Sequence, residues 1–230
     1  MNTTVKTQRL TMSAVMIALS ATLAIVCALI PFLNLPFGGG FTIASMLPIV
    51  IISYMYGLKW GFFVSGTYAL LQMLMDLSLG TSASVIMALL LPSSEGYMGG
   101  FAAASIILLD YIVAYTVLGI GGIFRNKIKS KTLALCLGAV LALSLRYLAH
   151  ILSGAIFYGT WAEWFFSQEG FYRIGARILE HFSGFSLSLV YSVFYNGLYM
   201  IPEIVITAVA AVIVSRLPQI KKSDIQNIKN

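Results

Sequence analysis

Six long apolar runs, with most of the lysines and arginines confined to the gaps on one side of them, constrain this 230-residue chain more than any other feature. The runs, bounded by Pro, Gly and charge, predict helices over residues 10–33, 43–58, 60–76, 101–124, 132–157 and 187–216. A hydrocarbon core of about 30 Å takes roughly 20 apolar residues per helix, so the length allows about six crossings and no large soluble domain. With 59% apolar and 10% charged residues and a mean hydropathy of +0.91, the chain lies far from the composition of a soluble domain. Inside a bilayer the backbone must satisfy its own polar groups, and runs of this length do so as helices. The expectation is an all-α integral membrane protein, a six-transmembrane-helix bundle forming a single membrane domain over residues 1–230.

Alternation of sides tests the count. Six crossings put both termini on one side, together with Lys6, Arg9, Lys59, Arg125, Lys127, Lys129, Lys131, Arg216, Lys221, Lys222 and Lys229. Those are eleven of the fourteen basic residues; Arg173 and Arg177 fall opposite and Arg146 lies within a run. The bias makes both termini cytoplasmic and the protein a multi-pass protein of the cell membrane. It also accounts for the net charge of +6 without nucleic acid, the lipid bilayer being the expected surroundings. The first run exceeds the roughly 7–15 residues of a signal-peptide core and is read as a retained helix.

Few residues remain that could do chemistry. Cys27 and Cys136 lie at opposite ends of their helices, about 20 Å apart in depth, too far for a disulfide, and neither has metal-ligand spacing. The histidines stand singly at 150 and 181, and no H-E-x-x-H, G-x-S-x-G or G-x-x-x-x-G-K-[ST] motif occurs. An enzyme is not expected, nor a metal or cofactor, and any uphill transport must be powered by an ion gradient or another subunit.

The polar residues inside the spans are more informative, because each is expensive in hydrocarbon. Counted from the inner helix ends, Asp110, Arg146 and Glu203 all lie about 20 Å up. Arg146 and Glu203 are read as a structural ion pair, with Asp110 as the other possible counter-ion. His150 stands one turn beyond Arg146 on the same face, and Gly154 and then Tyr158 or Trp161 continue the seam, the glycine leaving space. Asp110 and Tyr111 on the fourth helix and Tyr191 and Asn196 on the sixth, with Tyr195 beside them, lie in the outer half. An acid, an imidazole, an amide and several rings converging there suit an aromatic, hydrogen-bonding and cationic molecule. The aromatic outer connection over 159–186 reads either as an interfacial belt or as a lid, and the apolar run VIMALLLP in the other long outer connection as a segment lying against the bundle. On the first helix Ala14 and Ala18 belong to a small-residue stripe suited to close helix packing, within this chain or against another.

The blocks LLDYIVAYTVLGIGGIFRNK, LRYLAHILSGAIFY and YSVFYNGLYMIPEIVITA, with GGGFTIASMLP in support, resemble in order and spacing the thiamine-specific substrate-binding subunits (S-components) of energy-coupling factor transporters. The resemblance implies six helices, a thiamine site near the outer face, and docking on a transmembrane coupling protein served by two ATPase subunits. It implies that Asp110 and Tyr111 match the family's acid–tyrosine pair, the acid being Glu in some members. His150 matches the histidine of helix five, Tyr158 an aromatic that is Trp in some relatives, and Tyr191 and Asn196 the pair on helix six. A tryptophan of the first outer loop in another relative aligns near Gly39, leaving Phe37 and Phe41 to stack there. Ala14 and Ala18 resemble the contact motif for the coupling protein. Function is then expected to be high-affinity thiamine binding for vitamin uptake, with Trp161 and Tyr158 stacking on the ligand. The competing readings are an S-component for another heterocyclic vitamin or precursor, and a self-sufficient ion-coupled transporter using Arg146, Asp110 and Glu203 as a proton relay.

Overall fold

The computed structural model describes residues 3–35, 39–79, 91–93, 97–218 and 220. The chain runs through helices α1 (Thr3–Ala28), α2 (Leu47–Tyr56), α3 (Leu58–Leu79), α4 (Gly100–Gly122), α5 (Lys131–Phe157), the short α6 (Ala162–Phe166) and α7 (Tyr172–His181), and α8 (Gly184–Val214). Among the described residues the only β pairing is an isolated bridge between Asn34 and Gly40. By length and composition α1, α4, α5 and α8 suffice to cross a bilayer. α2 has 10 residues, about 15 Å, but Leu47 to Met55 are all buried, so its neighbours shield it. α3 has 22 residues and carries Lys59, Gln72 and Asp76. The run at 85–90, Phe37, and Lys221, Lys222 and Lys229 lie outside the described residues.

Several boundaries differ from the sequence expectation, each for a local reason. α1 begins at Thr3 rather than residue 10 and ends at Ala28 rather than 33. Ile30, before Pro31, is extended, as a pre-proline residue tends to be, and Pro31–Leu33 forms a separate 3-10 turn. α2 begins at Leu47 instead of 43, because Ala44 takes a left-handed φ of 55° and the Thr42 and Ser45 hydroxyls, 2.7 Å apart, close a turn before it. The 159–186 connection is not a loop but two short helices, α6 and α7, with 3-10 turns at Gly159–Trp161 and Glu169–Phe171. α4 is uniform only in sequence: an α segment, Gly100–Ile107, gives way to a π turn over Leu108–Val113, and the helix tightens to 3-10 over Val117–Gly122.

Packing at the inner ends rests on glycine. A Cβ at Gly119 would lie 2.6 Å from the Phe62 backbone, and at Gly138 it would run into the Gly121 carbonyl, so α4 meets both α3 and α5 backbone to backbone. The Ser53 hydroxyl donates to the Gly119 carbonyl and accepts from Gly122 N–H at 3.0 Å, satisfying groups that the 3-10 end leaves open. Ala14 and Ala18 of α1 are exposed on this chain, whereas Ser13, Ser20, Ala24 and Cys27 form the buried face. The alanines therefore lie on the face of α1 turned away from the described part of the protein.

Candidate functional site

α5 and α8 make the broadest contact in the bundle, and their outer halves, with the π turn of α4, hold the polar residues. At the floor, Arg146 Nη1 donates to Glu203 Oε2 at 3.2 Å and Nη2 donates to the Tyr115 hydroxyl at 3.2 Å, with the guanidinium 4.6 Å from the Tyr115 ring. Thr42, from the first outer connection, donates to Glu203 Oε1. Glu203, not Asp110, therefore faces Arg146, and both ions are almost completely removed from solvent. Such a pair tolerates burial better the more of its remaining hydrogen bonds are made, and Thr42 and Tyr115 supply two of them while Arg146 Nε is left without a partner among the described residues.

One turn outward the arrangement changes. Asp110 Oδ1 lies 2.8 Å from His150 Nδ1, and Asp110 Oδ2 accepts from Ser153 Oγ at 2.6 Å. A carboxylate acceptor places the ring proton on Nδ1, so in neutral His150 the other nitrogen is an acceptor. Among the described residues that Nε2, which is buried, has no hydrogen-bond partner, and no lysine or arginine pairs with Asp110. Asn196 Nδ2 donates to the Ser192 carbonyl at 2.9 Å and to that of His150 at 3.3 Å, while its Oδ1 accepts from the Tyr199 hydroxyl at 2.5 Å. The amide is thus fully used in holding the His150 backbone, and Tyr199 lies edge-on to the imidazole with centroids 6.1 Å apart.

Aromatic rings wall the outer side. Tyr191, Tyr195 and Tyr199 follow at i+4 along α8. Phe165 of α6 lies 5.3 Å from Tyr191 and 5.9 Å from Tyr195, and Phe166 and Phe171 pack behind it. The aromatic connection therefore divides: Phe165 and Phe166 turn inward, whereas Trp161 and Trp164, 6.4 Å apart, are 39% and 44% exposed. Tyr158, at the end of α5, is half-buried within electrostatic reach of Asp110, Tyr191 and Tyr195. From the first outer connection, Gly39 N–H donates to the Tyr195 hydroxyl at 3.2 Å. A Cβ there would come within 2.8 Å of that oxygen, so no larger residue fits without displacing the ring.

Of the residues picked from sequence, Asp110, His150, Tyr158, Tyr191 and Asn196 are gathered at this end of the bundle. Tyr111 is turned toward α3, and its ring stacks on that of Tyr115 at 6.4 Å. Trp161 stands outside the buried wall. At Gly154 the missing Cβ makes room for the Ser192 hydroxyl, which donates to the Ile151 carbonyl at 2.8 Å. Ser153, Tyr199, Tyr115 and Thr42 were not picked from the sequence, and Gly39 was named there only as the position of a relative's tryptophan. Ser153 follows His150 at i+3 and Tyr199 extends the Tyr191–Tyr195 stripe, signals that were present; Thr42 and Gly39 reach the site through long-range folding that no local spacing encodes.

The family described as Thiamine transporter protein (Thia_YuaJ) matches this chain over residues 14–106 and 77–164, together more than half of it. The chain belongs to that family. The family is one of transport proteins rather than enzymes, and its helices make this a multi-pass membrane protein. The chain is also similar to the thiamine transporter ThiT of Bacillus subtilis, with 31% identity over 235 residues, covering 97% of this chain and 99% of the relative. A solved structure of ThiT from Listeria monocytogenes has the same fold, with a TM-score of 0.53 at 18% identity, covering 90% of this chain and 97% of that one.

Proposed function

We propose that this protein is the thiamine-binding subunit of an energy-coupling factor transporter, taking up the vitamin with an ATPase-powered partner complex. The observation that carries the reading is the pairing of an acceptor with an acid: among the described residues, buried His150 Nε2 has no partner, and the Asp110 carboxylate beside it faces no cationic side chain. Thiamine combines an amino group that donates to such a nitrogen with a thiazolium whose permanent charge suits such a carboxylate. Tyr158, Tyr191 and Tyr195 supply faces for its two rings, each such contact being worth up to about 2 kcal/mol when desolvated. The family and the Bacillus subtilis relative, a thiamine transporter by name, support the same ligand. Tyr111 and Gly154 act from behind the site, and Trp161 closes over the ligand from the rim.

In this reading the protein crosses the membrane six times, α2 and α3 included, with both termini cytoplasmic and the ligand site facing outward. The exposed Ala14 and Ala18 on α1 form the contact with the transmembrane coupling protein, which two ATPases serve. Binding is tested by titrating the purified subunit with thiamine and following tryptophan fluorescence, which Trp161 and Trp164 make responsive at this end of the bundle. Saturable quenching at micromolar ligand or below is expected. No response, or equal competition by the free pyrimidine fragment, overturns thiamine as the ligand. Uptake into vesicles holding the subunit alone, driven by a proton gradient, would replace the coupled mechanism with a self-sufficient one.

A further inference from the structure

α3 contributes none of the residues so far placed in the site, yet its outer end carries a carboxylate that reaches α4. Tyr68, Gln72 and Asp76 follow at i+4 and form a ladder. The Tyr68 hydroxyl donates to Gln72 Oε1 at 3.1 Å, and Gln72 Nε2 donates to Asp76 Oδ1 at 2.9 Å. Asp76 also accepts a hydrogen bond from the Tyr111 hydroxyl, the residue next to Asp110 in the π turn. The Tyr111 ring is buried, and Tyr115, on which it stacks, meets Tyr68 edge-on at 5.7 Å. Among the described residues no lysine or arginine forms an ion pair with Asp76.

An acid in an apolar helix, without a cation, is costly, and packing gives no reason for it: α3 and α4 are already joined by the close Phe62–Gly119 contact at their inner ends. What Asp76 adds is a fixed anchor at the other end, at the stretch of α4 whose backbone widens from α to π geometry. Tyr111 is tied to Asp76 and Asp110 to His150 and Ser153, so the π turn is held from both sides and the Asp110 carboxylate is kept in place. π turns recur at functional sites because the extra residue re-aims neighbouring side chains.

We propose that Asp76 is a positioning residue of the ligand site, acting through Tyr111 to hold the π turn that presents Asp110. The inference rests on the thiamine reading above. Because a site loses affinity when a group must be immobilised on binding, freeing Tyr111 weakens the ligand by about tenfold.

The test is a cycle of thiamine titrations on the full chain with Asp76→Leu, Tyr111→Phe and the double variant, alongside Asp76→Asn. Leucine keeps the shape and suits hydrocarbon, whereas asparagine keeps an oxygen acceptor for Tyr111. Expected are a loss of about tenfold for Asp76→Leu, a similar loss for Tyr111→Phe, no further loss in the double variant, and recovery to within about threefold of the parent for Asp76→Asn. The proposal is overturned if Asp76→Leu binds as the parent does while only its ligand-free melting temperature falls. Multiplying losses in the double variant, or an Asp76→Asn as weak as Asp76→Leu, overturn it too. A parent that does not bind thiamine brings down the thiamine reading and this inference together, a result separate from any difference among the variants.

Discussion

At the scale of single residues, similar polar side chains in one membrane span take different work according to their partners. Arg146 and His150 are one turn apart on α5, but Arg146 is paired with the Glu203 carboxylate and the Tyr115 hydroxyl, whereas His150 meets Asp110 and Nε2, its acceptor nitrogen, is unpartnered among the described residues. Removing one member of the buried ion pair strands the other, so Arg146→Met alone should destabilise the protein by about 3–5 kcal/mol, and Arg146→Met with Glu203→Met should recover most of it. Thermal unfolding in detergent measures both, and a double variant less stable than either single one contradicts the assignment. At the ligand end, Asp110→Asn and His150→Ala should each weaken thiamine by about tenfold or more, following the roughly 1.5–3 kcal/mol of hydrogen bonds to charged groups. Should both variants bind as the parent does, the site lies elsewhere. The two roles could not be assigned from spacing, because counting along the helices puts Asp110 and Glu203 at one depth, whereas in the fold Asp110 meets His150 one turn beyond the Arg146–Glu203 pair.

Elements carry the next layer. Six apolar runs were legible and correspond to α1, α2, α3, α4, α5 and α8, but their ends and irregularities were not. The 3-10 end of α4 lies where its backbone meets α3 and α5 at Gly119 and Gly121, and the π turn where Asp110 meets His150 and Ser153, which are properties of contact rather than of local propensity. Gly154 illustrates the ambiguity of glycine in a helix: it marks close approach, and the partner, Ser192, could be named only from the folded chain. Gly154→Val should force α5 from α8 at a cost of about 1–3 kcal/mol, read as a lower melting temperature. Since Ser192 and Asn196 hold the His150 backbone across this contact, thiamine affinity should fall with it; unchanged stability and affinity would show that the helices meet elsewhere. α6 and α7 were read as a connection: the five residues of α6 are too few to show a helical period, whereas α7 is strongly amphipathic, a signal that was present in its ten residues.

For the whole molecule, the proposed orientation is the point most open to direct test. If both termini are cytoplasmic, tags at either end should survive protease added to intact cells, while an epitope inserted between α6 and α7, near Gly170, should be cleaved. A protected N-terminus with an exposed C-terminus would require an odd number of crossings and remove α2 or α3 from the count. The argument from loop charge draws partly on Lys221, Lys222 and Lys229, so the experiment examines the part of the chain where sequence alone speaks.

Composition and the period of apolar residues by themselves determined that this is a helical membrane protein, because a bilayer leaves the backbone no other way to satisfy its hydrogen bonds over such runs. The quoted blocks also pointed to a family of thiamine proteins, and the family match agrees. Only the tertiary structure decided which acid faces Arg146, that Gly154 makes room for the Ser192 hydroxyl, that Phe165 joins the wall while Trp161 stays at its rim, and that Asp76 meets Tyr111. Those outcomes depend on how helices rotate against one another. In lipid that rotation is set by the close packing of small residues and by pairing of polar ones, which involve positions far apart in the chain.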